Sequence, residues 1–161
     1  PLGPGTKSAQ DACVIGIDMD HFKAINDAHG HAIGDVALKW AVSACQMHLR
    51  ANDLFGRLGG EEFGILMPEC VATTARQVAE RIRLAIAECS GSADGIDFPV
   101  HASFGISATR TSGYALRQLL IHADNALYQA KREGRNRVAV FDHTNAPADQ
   151  LSADVLDRRR G

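Results

Sequence analysis

The chain has 161 residues, of which 45% are apolar and 22% charged, enough for one globular domain whose core needs no disulfide or metal staple. A formal net charge of −2 excludes the global basic field of a protein that coats a nucleic acid polymer or an anionic lipid surface. No apolar run approaches the ~20 residues of a membrane span, and Cys13, Cys45, Cys70 and Cys89 form no CxxC pair, so buried reduced thiols in the cytoplasm are expected.

In chain order, residues 1–11, opening PLGPGTKSAQ, read as a leader, residues 12–142 as the domain, and residues 143–161 as a polar tail expected to fray. CVIGID (13–18) is short, apolar and β-branched, which predicts a buried strand. The Gly- and His-rich segment HFKAINDAHGHAIGD (21–35) reads as a turn. His29 and His31 are assigned to loop structure, since no HxxxH pattern frames them. From Asp35, a candidate N-cap, Leu38, Ala41, Val42, Cys45 and Leu49 fall at helical spacing. Residues 53–58 and 62–67 flank a glycine pair and predict a β-hairpin, with Pro68 ending its second strand. Ala75, Val78, Ala79, Ile82 and Ile86 mark a helix over 73–89; VHASFGISA (100–108) alternates as a strand does. A third helix runs from Leu116 to Ala130 and closes at Gly134, and RVAVF (137–141) is a last strand. The order predicts an α+β sandwich with a βαββαβ, palm or ferredoxin-like heart, its mostly antiparallel sheet flanked by helices.

The hairpin carries the chemistry. Gly59 and Gly60 let backbone or a flat ligand approach with no Cβ between. Glu61 and Glu62 follow at once, and Asp18 and Asp20 end the first strand. For the glycine pair alone, an exposed turn with solvated charges is the better reading. Joined to the aspartates, hard oxygen ligands suit Mg²⁺, which binds through one or two carboxylates plus substrate phosphates. Phe22 and Lys23 begin a turn whose backbone N–H groups can cradle phosphate. Asn26 and Asp35 can read a guanine edge, or serve as turn former and helix cap. Lys131 and Arg135, four apart near the end of the last helix, can clamp phosphates, or complement the helix dipole.

DMDHFKAINDAHGHAIGD (18–35), RLGGEEF (57–63) and ALYQAKREGRNRV (126–138), in that order, resemble the GGDEF family of diguanylate cyclases, from about Cys13 to Phe141. The resemblance implies an enzyme that joins two GTP into cyclic di-GMP and pyrophosphate across a homodimer of domains, with Mg²⁺ or Mn²⁺. It implies Asp18 and Glu61 as metal carboxylates beside the Met19 carbonyl, with Glu62 near the metal or the reacting 3′-hydroxyl. Gly59 and Gly60 would pass close to the nucleotide, Asn26 and Asp35 would read guanine, and Phe22, Lys23, Lys131 and Arg135 would hold phosphates. GGEEF keeps both carboxylates of the motif.

Arg50 and Asp53, in RAND nine residues before Gly59, match the family's product-inhibition site, and Arg81 matches a secondary arm that clasps product. The family's further helix and D-x-L-T-x-L-x-N-R stretch ahead of the first strand are not matched by the leader, so slow turnover is expected of this chain alone. The alternatives are a binding module that holds GTP or cyclic di-GMP without turnover, and a palm-type polymerase relative. No E-x-L phosphodiesterase motif is present.

Overall fold

The structure is a computed structural model and describes residues 10–89 and 95–145. The leader before residue 10 and most of the polar tail lie outside the described residues. Five strands, β1 (Ala12–Met19), β2 (Leu54–Gly59), β3 (Glu62–Pro68), β4 (Ala102–Ala108) and β5 (Val138–Val140), form one sheet in the order β2-β3-β1-β4-β5. Every neighbouring pair is antiparallel except β4 and β5, which run parallel. The expected α+β sandwich is therefore present, with a mixed sheet.

The period-2 alternation of β1 sends Cys13, Ile15, Ile17 and Met19 to one face, where they meet Phe63, Ile65, Met67, Phe104 and Ile106 in the main core. Two helices, α2 (His31–Met47) and α3 (Ala72–Ala87), cover that face with Ala37, Ala41, Cys45, Ala75, Ala79 and Ile82. All four cysteines are buried thiols outside any disulfide, as their spacing suggested. The opposite face is covered by α5 (Leu116–Arg132), which packs on β4, β1 and β5. Four glycines lie opposite one another across four strands, Gly56, Gly64, Gly16 and Gly105, and α5 packs over the last two, Gly16 and Gly105, through Ala123 and Leu127. Where α5 stops, the outer parts of β2 and β3 stay open on that face, and Leu54 and Leu58 are exposed.

Three expectations are corrected. The segment after β1 is helix, not turn: α1 (Phe22–His29) and α2 meet at Gly30, whose φ of 89° lets the chain break between them. Tertiary packing overrides the low helix propensity of its His and Gly residues, since Phe22, Ile25, Ile33 and Val36 all bury surface. Asp35 is consequently not a helix cap; it is exposed in the first turns of α2, which begins at His31 with Gly30 as N-cap. His29 and His31 sit in helices, and the His29 ring stacks on Phe98 at 3.9 Å. A one-turn helix, α4 (Thr109–Ser112), follows β4 and had no sequence signal.

Candidate active site

The apolar drive that buries β1 carries Asp18, only 5% exposed, to the sheet's end among groups that water hardly reaches. Its Oδ2 accepts from the Lys131 ammonium in the last turn of α5 at 2.5 Å. Across the β1–β3 ladder Asp18 lies opposite Glu62. Glu61 sits in the two-residue hairpin connection, and its carbonyl accepts from the Met19 amide at 3.2 Å, which ties the hairpin tip to the end of β1. Arg57 locks the same tip by donating from Nε to the Gly60 carbonyl at 2.8 Å.

Burial pushes the Asp18 carboxyl above the usual carboxylate range against the pull of Lys131, and Glu61 and Asp20 add repulsion. Glu62 is raised as well, first by burial and then by Asp18 and Asp124. This is a site with excess negative charge in poor contact with water, which a cation relieves. Among the described residues no three His, Cys, Asp or Glu side chains gather into a closed metal cage. An open, oxygen-rich pair of this kind fits Mg²⁺, which takes its remaining ligands from phosphate and water, better than a structural metal. Asp20 does not join the set. Its oxygens accept from the Ser103 hydroxyl at 2.6 Å and the Asn136 amide at 2.9 Å.

Beside this pair a groove of about 680 Å³ runs between the hairpin and α5, with Gly59, Gly60, Glu61 and Glu62 on one wall and Asp124 and Leu127 on the other. A Cβ added to Gly59 or Gly60 would meet nothing within 4 Å, and neither residue needs a positive φ.

Phe22 and Lys23 open a helix rather than a turn. They are the first two residues of α1, and the first intrahelical bond runs from the Ile25 amide to the His21 carbonyl. The amides before it have no intrahelical acceptor, as at any helix N-terminus. Asn26, one turn on, has a buried Oδ1 with no hydrogen-bond partner. Gly34 packs against it so closely that a Cβ there would lie 1.8 Å from that oxygen. The close α1–α2 approach places Asn26 against the turn of α2 that carries Asp35. Arg135 is not on the last helix, which ends at Arg132; it lies in the following loop at φ 64°.

The second predicted site is assembled away from the first. Arg50 donates to Asp53 at 2.8 Å and to the Pro68 carbonyl at 2.6 Å, and the Arg50 backbone amide donates to Asp53 Oδ2 at 2.7 Å. The Asp53 side chain is 0% exposed and Arg50 42% exposed, so the arginine presents itself to solvent while the aspartate is spent holding it. Arg81 is exposed on α3. Sequence reasoning missed Arg57, although its partner Gly60 lies three residues on; it also missed Ser103 and Asn136, which meet Asp20 across 83 and 116 residues, and Asp124, whose charge acts on the distant Glu62.

The family described as "Diguanylate cyclase, GGDEF domain" matches residues 4–137, most of the chain. The chain belongs to the GGDEF family. The Probable diguanylate cyclase DgcT of Escherichia coli is 41% identical to it over 135 residues, 83% of this chain and 30% of that protein. The chain thus spans under a third of that relative's length. Among solved structures, the active GGEEF domain of a diguanylate cyclase from Vibrio cholerae superposes with a TM-score of 0.77 at 34% identity, covering 83% of this chain and 85% of that one. The coiled coil and GGDEF domain of DgcB from Caulobacter crescentus, in complex with c-di-GMP, gives a TM-score of 0.74 at 28% identity, covering 81% of this chain and 69% of that one. The GGDEF assignment accounts for the shared architecture, and no helix among the described residues is long and apolar enough to cross a membrane.

Proposed function

We propose that this GGDEF domain is a cytoplasmic diguanylate cyclase that condenses two GTP into cyclic di-GMP and two pyrophosphates across a homodimer. The observation that carries the reading is the hairpin tip, with Glu61 and Glu62 tied against the Asp18–Lys131 pair. A divalent cation held by the Asp18 and Glu61 carboxylates and the Met19 carbonyl would supply charge neutralisation and polarisation at the α-phosphate. Open space at Gly59 and Gly60 admits the nucleotide beside the carboxylates. The free amides of Phe22 and Lys23 donate to phosphate oxygens, and Lys131 and Arg135 add positive charge at the same end. Asn26 and Asp35 read the guanine edge, the unpartnered Asn26 Oδ1 accepting from it. In each half-reaction the 3′-oxygen of one GTP bonds to the α-phosphorus of the other, the bond to pyrophosphate breaks, and the 3′-proton leaves to solvent or pyrophosphate. Positioning and charge stabilisation supply most of the rate.

The test is to strip bound nucleotide, add GTP with Mg²⁺, and look for a cyclic dinucleotide by mass. The absence of product together with the absence of binding of either GTP or cyclic di-GMP would overturn the reading. Binding of GTP or cyclic di-GMP with no product would favour the binding-module alternative.

Two expected results follow from the geometry. Gly34→Ala drives a Cβ into the Asn26 amide; titration should show GTP affinity falling roughly tenfold with preference over ATP narrowed, the loss of about one good hydrogen bond. Arg50→Ala should abolish product inhibition at the proposed Arg50–Asp53–Arg81 site while the initial rate stays. It also strips a buried carboxylate of its partner, so the melting temperature should fall. An unchanged inhibition constant for cyclic di-GMP would remove Arg50 from that site.

A further inference from the structure

Two consecutive non-glycine residues, Arg135 at φ 64° and Asn136 at φ 47°, follow Gly134 at φ 126° in the loop that leaves α5. Left-handed backbone at side-chain-bearing positions costs free energy and persists only where the surroundings over-determine it. The determinants here are specific. The Asn136 amide donates to Asp20 Oδ2 at 2.9 Å, while Asp20, 6% exposed, receives the Ser103 hydroxyl on its other oxygen. The Asn136 side-chain oxygen accepts from Arg83 Nη1 of α3 at 3.0 Å. Arg83 is itself oriented by Glu80, to which its Nη2 donates at 2.9 Å. The Arg135 carbonyl accepts from Arg137 Nε at 3.1 Å, and the Arg137 carbonyl receives the Phe104 amide of β4. The end of β1 therefore grips both basic groups of the site. Asp18 holds Lys131 in the last turn of α5, and two residues on Asp20 holds the loop that carries Arg135.

We propose that Arg83 is a positioning residue for the reaction: through Asn136 and Asp20 it fixes the left-handed loop from which Arg135 reaches the phosphates. The inference rests on the cyclase reading for the role of Arg135. Arg83 touches no substrate in this scheme. A hydrogen bond that holds a strained loop acts on the geometry of the group the loop carries, so its loss should weaken GTP binding and spare the chemistry of bound substrate.

The experiment uses the whole chain with Arg83→Met, Arg83→Lys, Asn136→Gly and Arg135→Ala. Asn136→Gly keeps the left-handed backbone and the amide bond to Asp20 but deletes the oxygen that Arg83 meets, so it breaks the same link without backbone strain. Arg83→Met and Asn136→Gly should each raise the KM for GTP roughly tenfold with kcat little changed, and Arg83→Lys should recover most of it. In the Arg135→Ala background Arg83→Met should add nothing, because the group it positions is gone. Equal losses in both backgrounds, or an unchanged KM, would overturn the proposal. Amide hydrogen exchange over residues 134–138 gives a readout independent of turnover. It should accelerate in Arg83→Met and Asn136→Gly while β1 and the hairpin exchange as before. Unchanged exchange there overturns the proposal even if the protein makes no cyclic dinucleotide, whereas absent turnover with accelerated exchange would fault the cyclase reading alone.

Discussion

Gly105→Ala is expected to lower the melting temperature by roughly 6–12 °C, taking about 3 kcal/mol for overpacking and ~2–4 °C per kcal/mol at this size. An ideal Cβ at Gly105 would lie 2.1 Å from both the Ala123 carbonyl and the Leu127 amide of α5. Those are backbone atoms, and no rotamer change relieves the contact; the helix has to lift from the sheet. Because α5 also carries Lys131 and Asp124, lifting it should loosen the site as well. Gly59→Ala and Gly60→Ala are the matched controls. With nothing within 4 Å of either Cβ and no positive φ to satisfy, both should melt like the parent and yet lose GTP turnover. Thermal melts beside an activity assay separate the two kinds of glycine. A stable Gly105→Ala protein would mean that α5 is not seated on β4 as described.

That contrast shows what was legible in the sequence. The strand and helix order came through because the buried faces repeat with the period of their element, as in Cys13, Ile15, Ile17 and Ala75, Ala79, Ile82, Ile86. The carboxylates at the hairpin came through because RLGGEEF is a local pattern, and the end of β1 is a local pattern too. The turn-like reading of 21–35 failed because Gly30 and three histidines mask two helices that pack on each other and bury Ile25 while Phe22 and Val36 pack against the main core. The last helix appeared to carry Arg135 because an i,i+4 spacing from Lys131 looks helical, while the Gly134–Asn136 reversal intervenes. Asp20 looked like a companion ligand to Asp18; only the fold shows Ser103 and Asn136 consuming its oxygens. Contacts across 83 and 116 residues of chain leave no periodic trace in a single sequence.

Glu62→Gln should cut cyclic di-GMP synthesis roughly 10²–10³-fold, the scale for deleting one preorganised charged group, and should stabilise the apoprotein at neutral pH. The sign follows from proton linkage. Burial and the neighbouring Asp18 and Asp124 raise the folded-state affinity of Glu62 for its proton above that of the unfolded chain, whose ordinary value is 4.5. Over the window from 4.5 up through the raised folded value the folded state binds more protons than the unfolded state, so stability falls as pH rises there and stays lower above it. Glutamine is neutral throughout and removes that fall. Melting curves of the two proteins should therefore meet near pH 4 and separate towards pH 7, with the variant higher. Asp18→Asn is not an equivalent test, since it leaves the Lys131 ammonium without the carboxylate it pairs with. GTP with Mg²⁺ should reverse the order by raising the parent more than the variant, because binding to the folded state alone adds stability. Parallel melting curves at every pH would show that the Glu62 carboxylate carries no such strain. A Glu62→Gln protein with full turnover would show that the hairpin charge is not used in the reaction. Loss of activity together with gained stability is the signature of a charge held in place for its substrate rather than for the fold.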